Sequence, residues 1–328
     1  LEKIDIQIDE FINYCQSKKL ARKTLMSYEQ TLRLFARYLS DNVKINDATK
    51  LTEKMYRAYI ISVQERGKYS IVAVEKSKET NNPQNRKDLG EKVSSATINN
   101  YTRNIKVFYS FLLEQGFIKK NPMTNIKSIK FDRKPKEFIE DMEIIRLLKS
   151  MDNSKFHEYR DNIIIQTLLD TGTRIGECLS IVVEDLDLTN RSIMLRAENT
   201  KGGKYRYVYF SQELQKELRR WLQYKDRYVE SNYLFPSIKC NKLGIGSFET
   251  KLKQYGERVG INIHPHQLRN NFAKRFLMAG GNLFTLSKIL GHSSVVITEK
   301  AYLDLDDEDI RNSYQNFSPL SNIKKGNK

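Results

Sequence analysis

Residues 127–136 read Lys-Ser-Ile-Lys-Phe-Asp-Arg-Lys-Pro-Lys, a basic run that neither a helix nor a central strand can absorb. Pro135 disfavours helix at the residue before it and has no backbone donor of its own. An extended connector is therefore expected, entered through Asn121-Pro122. In a chain of 328 residues this break predicts two domains, 1–120 and 137–328, joined by a basic linker over 121–136.

The first hundred residues carry the period of amphipathic helices. Ile8, Phe11, Ile12 and Cys15 share one helical face, and Leu25, Tyr28, Leu32, Phe35 and Leu39 form the next, with Thr24 placed to cap its start. A third helix is expected over Thr52–Arg66. A fourth, from Ser95 to Gly116, aligns Ile98, Tyr101, Ile105, Phe108 and Leu112. Four such helices make a small bundle. Residues 67–93 interrupt it: Tyr69–Val74 reads as a short strand, followed by a lysine-rich stretch with Asn81-Asn82-Pro83. This is a surface insertion, or a flap reaching toward DNA or a partner.

Beyond the linker, helices are expected over Asp141–Ser150 and up to Leu169. Two β-rich runs follow, Ser192–Arg196 and Tyr205–Phe210, around Thr200-Lys201-Gly202-Gly203-Lys204, which predicts a hairpin. Helices then dominate to about Gln315, with a C-terminal tail from about residue 304. The fold class is mainly α with a small β-sheet.

Lysine plus arginine outnumber aspartate plus glutamate by 56 to 40, a net charge of +16 that favours a polyanionic partner. No apolar run approaches the length of a membrane span, so no membrane partner is expected. Cys15, Cys178 and Cys240 lie far apart and match no metal or redox spacing, which suits reduced thiols in a cytoplasmic protein. The chain begins at Leu1 rather than methionine, which leaves room for an upstream segment.

Breaking a phosphodiester without a metal requires cationic donors on the non-bridging oxygens, an acid for the leaving oxygen and a nucleophile. Arginine suits the first task, because its planar fork meets two oxygens at once and stays charged. There is no zinc cluster, HExxH, P-loop or paired acidic metal motif, so neither metal nor ATP nor other cofactor is expected. Instead, Leu168-Leu-Asp-Thr-Gly-Thr-Arg174-Ile-Gly-Glu177, His266-Gln-Leu-Arg269, and Leu290-Gly-His292-Ser-Ser followed by Tyr302 occur in that order. Each piece alone is weak; Tyr302 is one of 18 tyrosines.

Together they resemble the boxes of the tyrosine recombinases, the family of phage integrases and Xer-type resolvases. The resemblance runs from about residue 5 to about residue 315, box by box in the second half and by helical pattern in the first. It implies a helical core-binding bundle and a mixed α/β catalytic domain closing on duplex DNA as a C-shaped clamp. It further implies that Arg174 and Arg269 clamp the scissile phosphate and that Lys201 protonates the departing 5′-oxygen. His266 and His292 contact the phosphate or handle protons, and Tyr302 attacks phosphorus. Glu177 buttresses Arg174, while His157 and His264 are structural. Exchange of a phosphodiester for a phosphotyrosine diester is nearly isoenergetic, so no ATP is required. Two departures stand out: Asn270 replaces a frequent histidine, and Tyr302 follows His292 by ten positions, one more than in many Xer-like sequences.

The expected function is site-specific recombination of double-stranded DNA, as integrase or transposase of a mobile element, by a tetramer with accessory DNA-bending or directionality factors, associated with the nucleoid. Its alternative is an Xer-type dimer resolvase; a type IB topoisomerase-like enzyme and a non-catalytic DNA-binding protein are the more distant readings. Lys23, Arg103 and Lys106 on helix faces, with Lys204 and Arg206 on the hairpin, are candidate DNA contacts. The segment after Asp304 is expected to dock on a neighbouring protomer.

Overall fold

Ile4, Ile8, Phe11 and Cys15, spaced four, three and four apart, line the buried side of α1 (Lys3–Ser17). The structure, a computed structural model, describes residues 3–72, 86–130, 138–200, 202–292 and 294–302, with residues 311 and 314, the side chains of 297 and 300–302 excepted. It divides into two units, Leu1–Arg133 and Lys134–Lys328.

In the first unit α1 packs with α2 (Arg22–Tyr38), α3 (Glu53–Arg66) and α4 (Ser95–Glu114). Phe11 meets Tyr28, Phe108 and Phe111 with ring centroids 5.3–5.5 Å apart, and Phe35 lies 4.9 Å from Tyr59. Thr52 and Ser94 cap α3 and α4 by accepting from Met55 N and Thr97 N. Thr24 caps nothing: α2 already begins at Arg22, behind Ala21, which offers no side-chain acceptor. Buried Asn104 stitches α4 to α2 by donating to Thr31 Oγ1 at 3.0 Å and to the Ser27 carbonyl at 3.2 Å.

The insertion has a closed neck. Lys68 N donates to Glu91 O (2.7 Å), Gly90 N donates to Lys68 O (2.9 Å), and Lys68 Nζ meets Glu91 Oε2 at 2.9 Å. Gly67 has φ +74°, and a Cβ there would lie 2.4 Å from Gly90 O, so glycine is required twice over. The strand expected over Tyr69–Val74 does not form in its described part: Tyr69 takes φ 59° and turns the chain immediately after the neck. The remainder, 73–85, lies outside the described residues.

Residues 121–130, expected as a connector, dock on the bundle instead. Met123 and Ile126 are buried in its core, and Asn99 exchanges two hydrogen bonds with the Ile129 backbone, at 2.8 and 2.9 Å. Residues 131–137 of the linker lie outside the described residues.

The second unit is built on α6 (Phe156–Thr171), whose residues are buried almost all round, as a central helix requires. Around it stand α5 (Asp141–Lys149), the single turn α7 (Ile175–Cys178), α8 (Gln212–Tyr228), α9 (Ile245–Val259), α10 (Pro265–Met278), α11 (Leu283–Leu290) and α12 (Val295–Tyr302). An antiparallel sheet runs β1-β2-β3: Leu186–Asp187, Ser192–Leu195 and Arg206–Tyr209, with Ser192 opposite Tyr209 and Leu195 opposite Arg206. On β3, Val208 faces the core while Tyr207 and Tyr209, like Tyr205 just before the strand, face outward. Trp221 anchors α8 by donating its indole N–H to the Leu234 carbonyl at 2.8 Å. Among the described residues no helix is long and apolar enough to cross a membrane.

Candidate active site and nucleic-acid interface

Gly172 ends α6 with φ +63°, and a Cβ there would sit 2.2 Å from the Phe272 ring. Only glycine meets both demands, and the resulting turn delivers Arg174 to the start of α7. Glu177, one turn on, receives the Arg174 backbone N–H at 2.9 Å and its Nη1 at 2.8 Å. The Glu177 side chain is 1% exposed whereas that of Arg174 is 31% exposed, so the acid is interior and the guanidinium reaches solvent.

Glu177 also holds Arg206 of β3 in a two-pronged pair, Nη2–Oε2 at 2.8 Å and Nη1–Oε1 at 3.1 Å. Burial alone would push its carboxyl up. The Arg206 guanidinium, followed by the backbone and charge of Arg174, outweighs that burial and holds the group below the usual carboxylate range.

Arg269 rises from α10 and is 2% exposed. Its Nη1 donates to the Gly172 carbonyl at 2.6 Å, and its Nη2 to the Leu290 carbonyl at 2.8 Å. Nη2 also lies 3.2 Å from His292 Nε2. The start of α10 is set by His264, whose Nδ1 accepts from Gln267 N, with Pro265 behind it. His266 sits exposed one turn before Arg269 on that helix. Asn270, in the position after Arg269, is buried.

His292 follows Gly291, which closes α11 at φ +63°. Its Nδ1 lies 2.8 Å from the hydroxyl of Thr298, a fully buried residue of α12. Arginine only donates, so the His292 Nε2 that meets Arg269 accepts, and Nδ1 carries the proton toward Thr298. His292 thus bridges Arg269 to the helix that ends at Tyr302.

Of the six expected catalytic residues, Arg174, Arg269 and His292 converge and His266 stands on the same helix as Arg269. Tyr302 closes α12, which packs on α10 and α11; its side chain lies outside the described residues, as do Lys201 and the tail from Asp304 to Asp309. Of the expected DNA contacts, Lys23 and Arg103 are exposed and line one groove of about 390 Å³ with Ser27, Tyr28 and Asn100. Arg103 and Asn100 continue into a larger concavity of about 1170 Å³ that includes Lys106 and Lys130. Lys106 also donates to the Ile126 carbonyl, so part of its reach is spent on the bundle. Lys204 is exposed at the hairpin. Arg206 is not a groove-facing cation: it points inward with Val208, its side chain is 13% exposed, and Glu177 occupies it. Period-two alternation along Tyr205–Phe210 carried that signal, because it sets Arg206 on the buried face, where a cation requires an acidic partner. Thr298 carried no comparable signal.

Residues 137–309 match the family model described as phage integrase family, and residues 8–76 match the phage integrase N-terminal SAM-like domain. The chain is 36% identical over 195 residues to the tyrosine recombinase XerA of Saccharolobus solfataricus, spanning 60% of this chain and 61% of that relative. It is 25% identical to the tyrosine recombinase XerC of Oceanobacillus iheyensis over 99% of this chain and all of that one. The fold is similar to that of the Tn1549 transposon integrase solved with a circular intermediate DNA, with a TM-score of 0.71 and 18% identity over 97% of this chain and 100% of that one.

Proposed function

This chain belongs to the phage integrase family and is a tyrosine-type site-specific recombinase of double-stranded DNA, and on that premise we propose that Tyr302 cuts and reseals DNA for a mobile element. The observation that carries the site assignment is the convergence of Arg174, Arg269 and His292 beside the helix that Tyr302 ends. Arg174 and Arg269 hold the non-bridging oxygens and stabilise the charge that develops on the pentacoordinate phosphorus. The Tyr302 oxygen forms a bond to phosphorus while the bond to the 5′-oxygen breaks. Lys201 gives the departing oxygen its proton, and His266 receives the phenol proton, since both ring nitrogens of His292 are engaged by Arg269 and Thr298. Religation runs the same steps backward, with the 5′-hydroxyl of the partner strand as nucleophile. Four protomers then hold two duplexes, with DNA-bending factors assisting. A nicked suicide duplex, recovered from a randomised library by covalent capture, is expected to trap a protein–DNA adduct; failure of wild-type protein to capture any duplex would sink the reading.

The insertion at 67–93 supports the mobile-element role, since a resolvase acting on one chromosomal site has no evident use for it. The Xer names of the relatives favour dimer resolution instead. Deleting the gene separates the two: loss of excised circular DNA is expected, whereas accumulation of chromosome dimers with circles unaffected would establish the resolvase.

Two further outcomes follow from the named contacts. Lys23→Ala is expected to lower the slope of log binding constant against log salt by about one, the mark of one lost phosphate contact. An unchanged slope in filter binding or anisotropy removes Lys23 from the interface. Thr298→Val keeps the side-chain shape but deletes the hydroxyl that His292 meets. Single-turnover cleavage is expected to slow roughly fivefold to tenfold, the worth of one neutral hydrogen bond, with DNA affinity unchanged. A wild-type rate would mean that His292 needs no such anchor.

A further inference from the structure

One interior carboxylate, Glu177, serves two arginines with different exposures. Arg174 reaches solvent, whereas Arg206 is turned inward and its donors are directed at protein: Nη1 and Nη2 to Glu177, and Nε to the Ile289 carbonyl at 2.9 Å. Ile289 lies in the last turn of α11, directly before the Leu290-Gly291-His292 turn. A Cβ on Gly291 would lie 2.9–3.0 Å from the Nε, Cδ and Cζ of Arg206, so that turn is folded flat against the guanidinium. Three separate pieces of chain therefore meet on this one side chain: the Arg174 turn, the His292 turn, and β3 itself, which leads back through Lys204 to the hairpin loop.

We propose that Arg206 is a positioning residue for DNA cleavage, one that aims Arg174 through Glu177 and seats the turn bearing His292. The inference rests on the reading above that Arg174 clamps the scissile phosphate. Without Arg206, the Glu177 carboxylate has one cationic partner instead of two and can rotate toward solvent with Arg174. The Arg174 fork then no longer arrives preorganised at the non-bridging oxygens. Lysine cannot substitute fully, because an ammonium is a point charge, whereas the three contacts here diverge in one plane from a fork. Misplacement on the ångström scale at a reacting centre is worth about 10²-fold in rate.

The test is a double-mutant cycle on the full chain with the nicked suicide duplex selected by wild-type protein. Single-turnover cleavage is measured at saturating protein, alongside the half-saturating concentration and a thermal melt. Arg206→Ala is expected to slow cleavage by about 10²-fold with half-saturation unchanged. In an Arg174→Ala background the same change should cost distinctly less, because the route through Glu177 is gone and only the seating of the His292 turn remains. Arg206→Lys, which keeps a cation on Glu177 and so guards against loss of folding, should recover part of the rate. Equal proportional losses in both backgrounds would reduce Arg206 to a structural strut and overturn the proposal. Weaker half-saturation at an unchanged rate would also overturn it, by making Arg206 a DNA contact. Arg174→Ala cleaving as fast as wild type would instead overturn the underlying reading of the clamp.

Discussion

Tyr302→Phe protein is expected to bind the suicide duplex as wild type does and to form no covalent adduct with it. Phenylalanine keeps the ring and removes the only atom that can bond to phosphorus, so the loss is complete rather than graded. A free phenol titrates near pH 10, so the proposed role asks Arg174, Arg269 and a histidine base to favour its oxyanion during attack. Denaturing electrophoresis of labelled DNA reads the result directly. An adduct that persists in the variant would transfer the role to another tyrosine, with the exposed Tyr314 as the next candidate.

Arg269→Ala is expected to cost both catalysis and stability. Removing one donor aimed at a developing oxyanion typically slows the step by about 10²–10³-fold. The same change strips the Gly172 and Leu290 carbonyls of their partner in a buried setting, which costs about 1–3 kcal/mol. Single-turnover cleavage and a thermal melt separate the two effects. A variant that melts lower yet cleaves at the wild-type rate would make Arg269 a tie between α6, α10 and α11 and nothing more.

Much of the fold is legible in the sequence, and what is not has physical reasons. Helix faces such as Ile98, Ile105, Phe108 and Leu112 declare themselves because a buried stripe must repeat with the helical period. Strand β1 does not, because two residues carry no periodicity. Thr24 reads as a cap by residue type, but the start of a helix is set by backbone geometry, and α2 had already begun at Arg22. Residues 121–130 read as linker because Asn121-Pro122 opens them and the basic run from Lys127 follows; two apolar anchors, Met123 and Ile126, are enough to fasten them to the bundle. The order and spacing of the three boxes single out Arg174, Arg269 and His292, which the fold brings together; their catalytic roles are the proposal made above. Arg206 reads as a DNA contact because it is a cation near a hairpin, whereas its place on β3 turns it to the buried face, where Glu177 of α7 holds it. The hydroxyl of Thr298 meets His292 only after α12 has folded back, a tertiary event with no local signature.

The neck at Gly67 and Gly90 has a consequence for how this chain can change. Because the two ends of the insertion are tied to each other by backbone hydrogen bonds, the spacing of α3 and α4 does not depend on what lies between them. Lengthening a closed loop costs little, only about 0.6 kcal/mol for each doubling. The neck therefore acts as a splice point, where a lineage can lengthen, shorten or exchange a cassette, and where an engineer can seat a reporter, without resetting the bundle beneath.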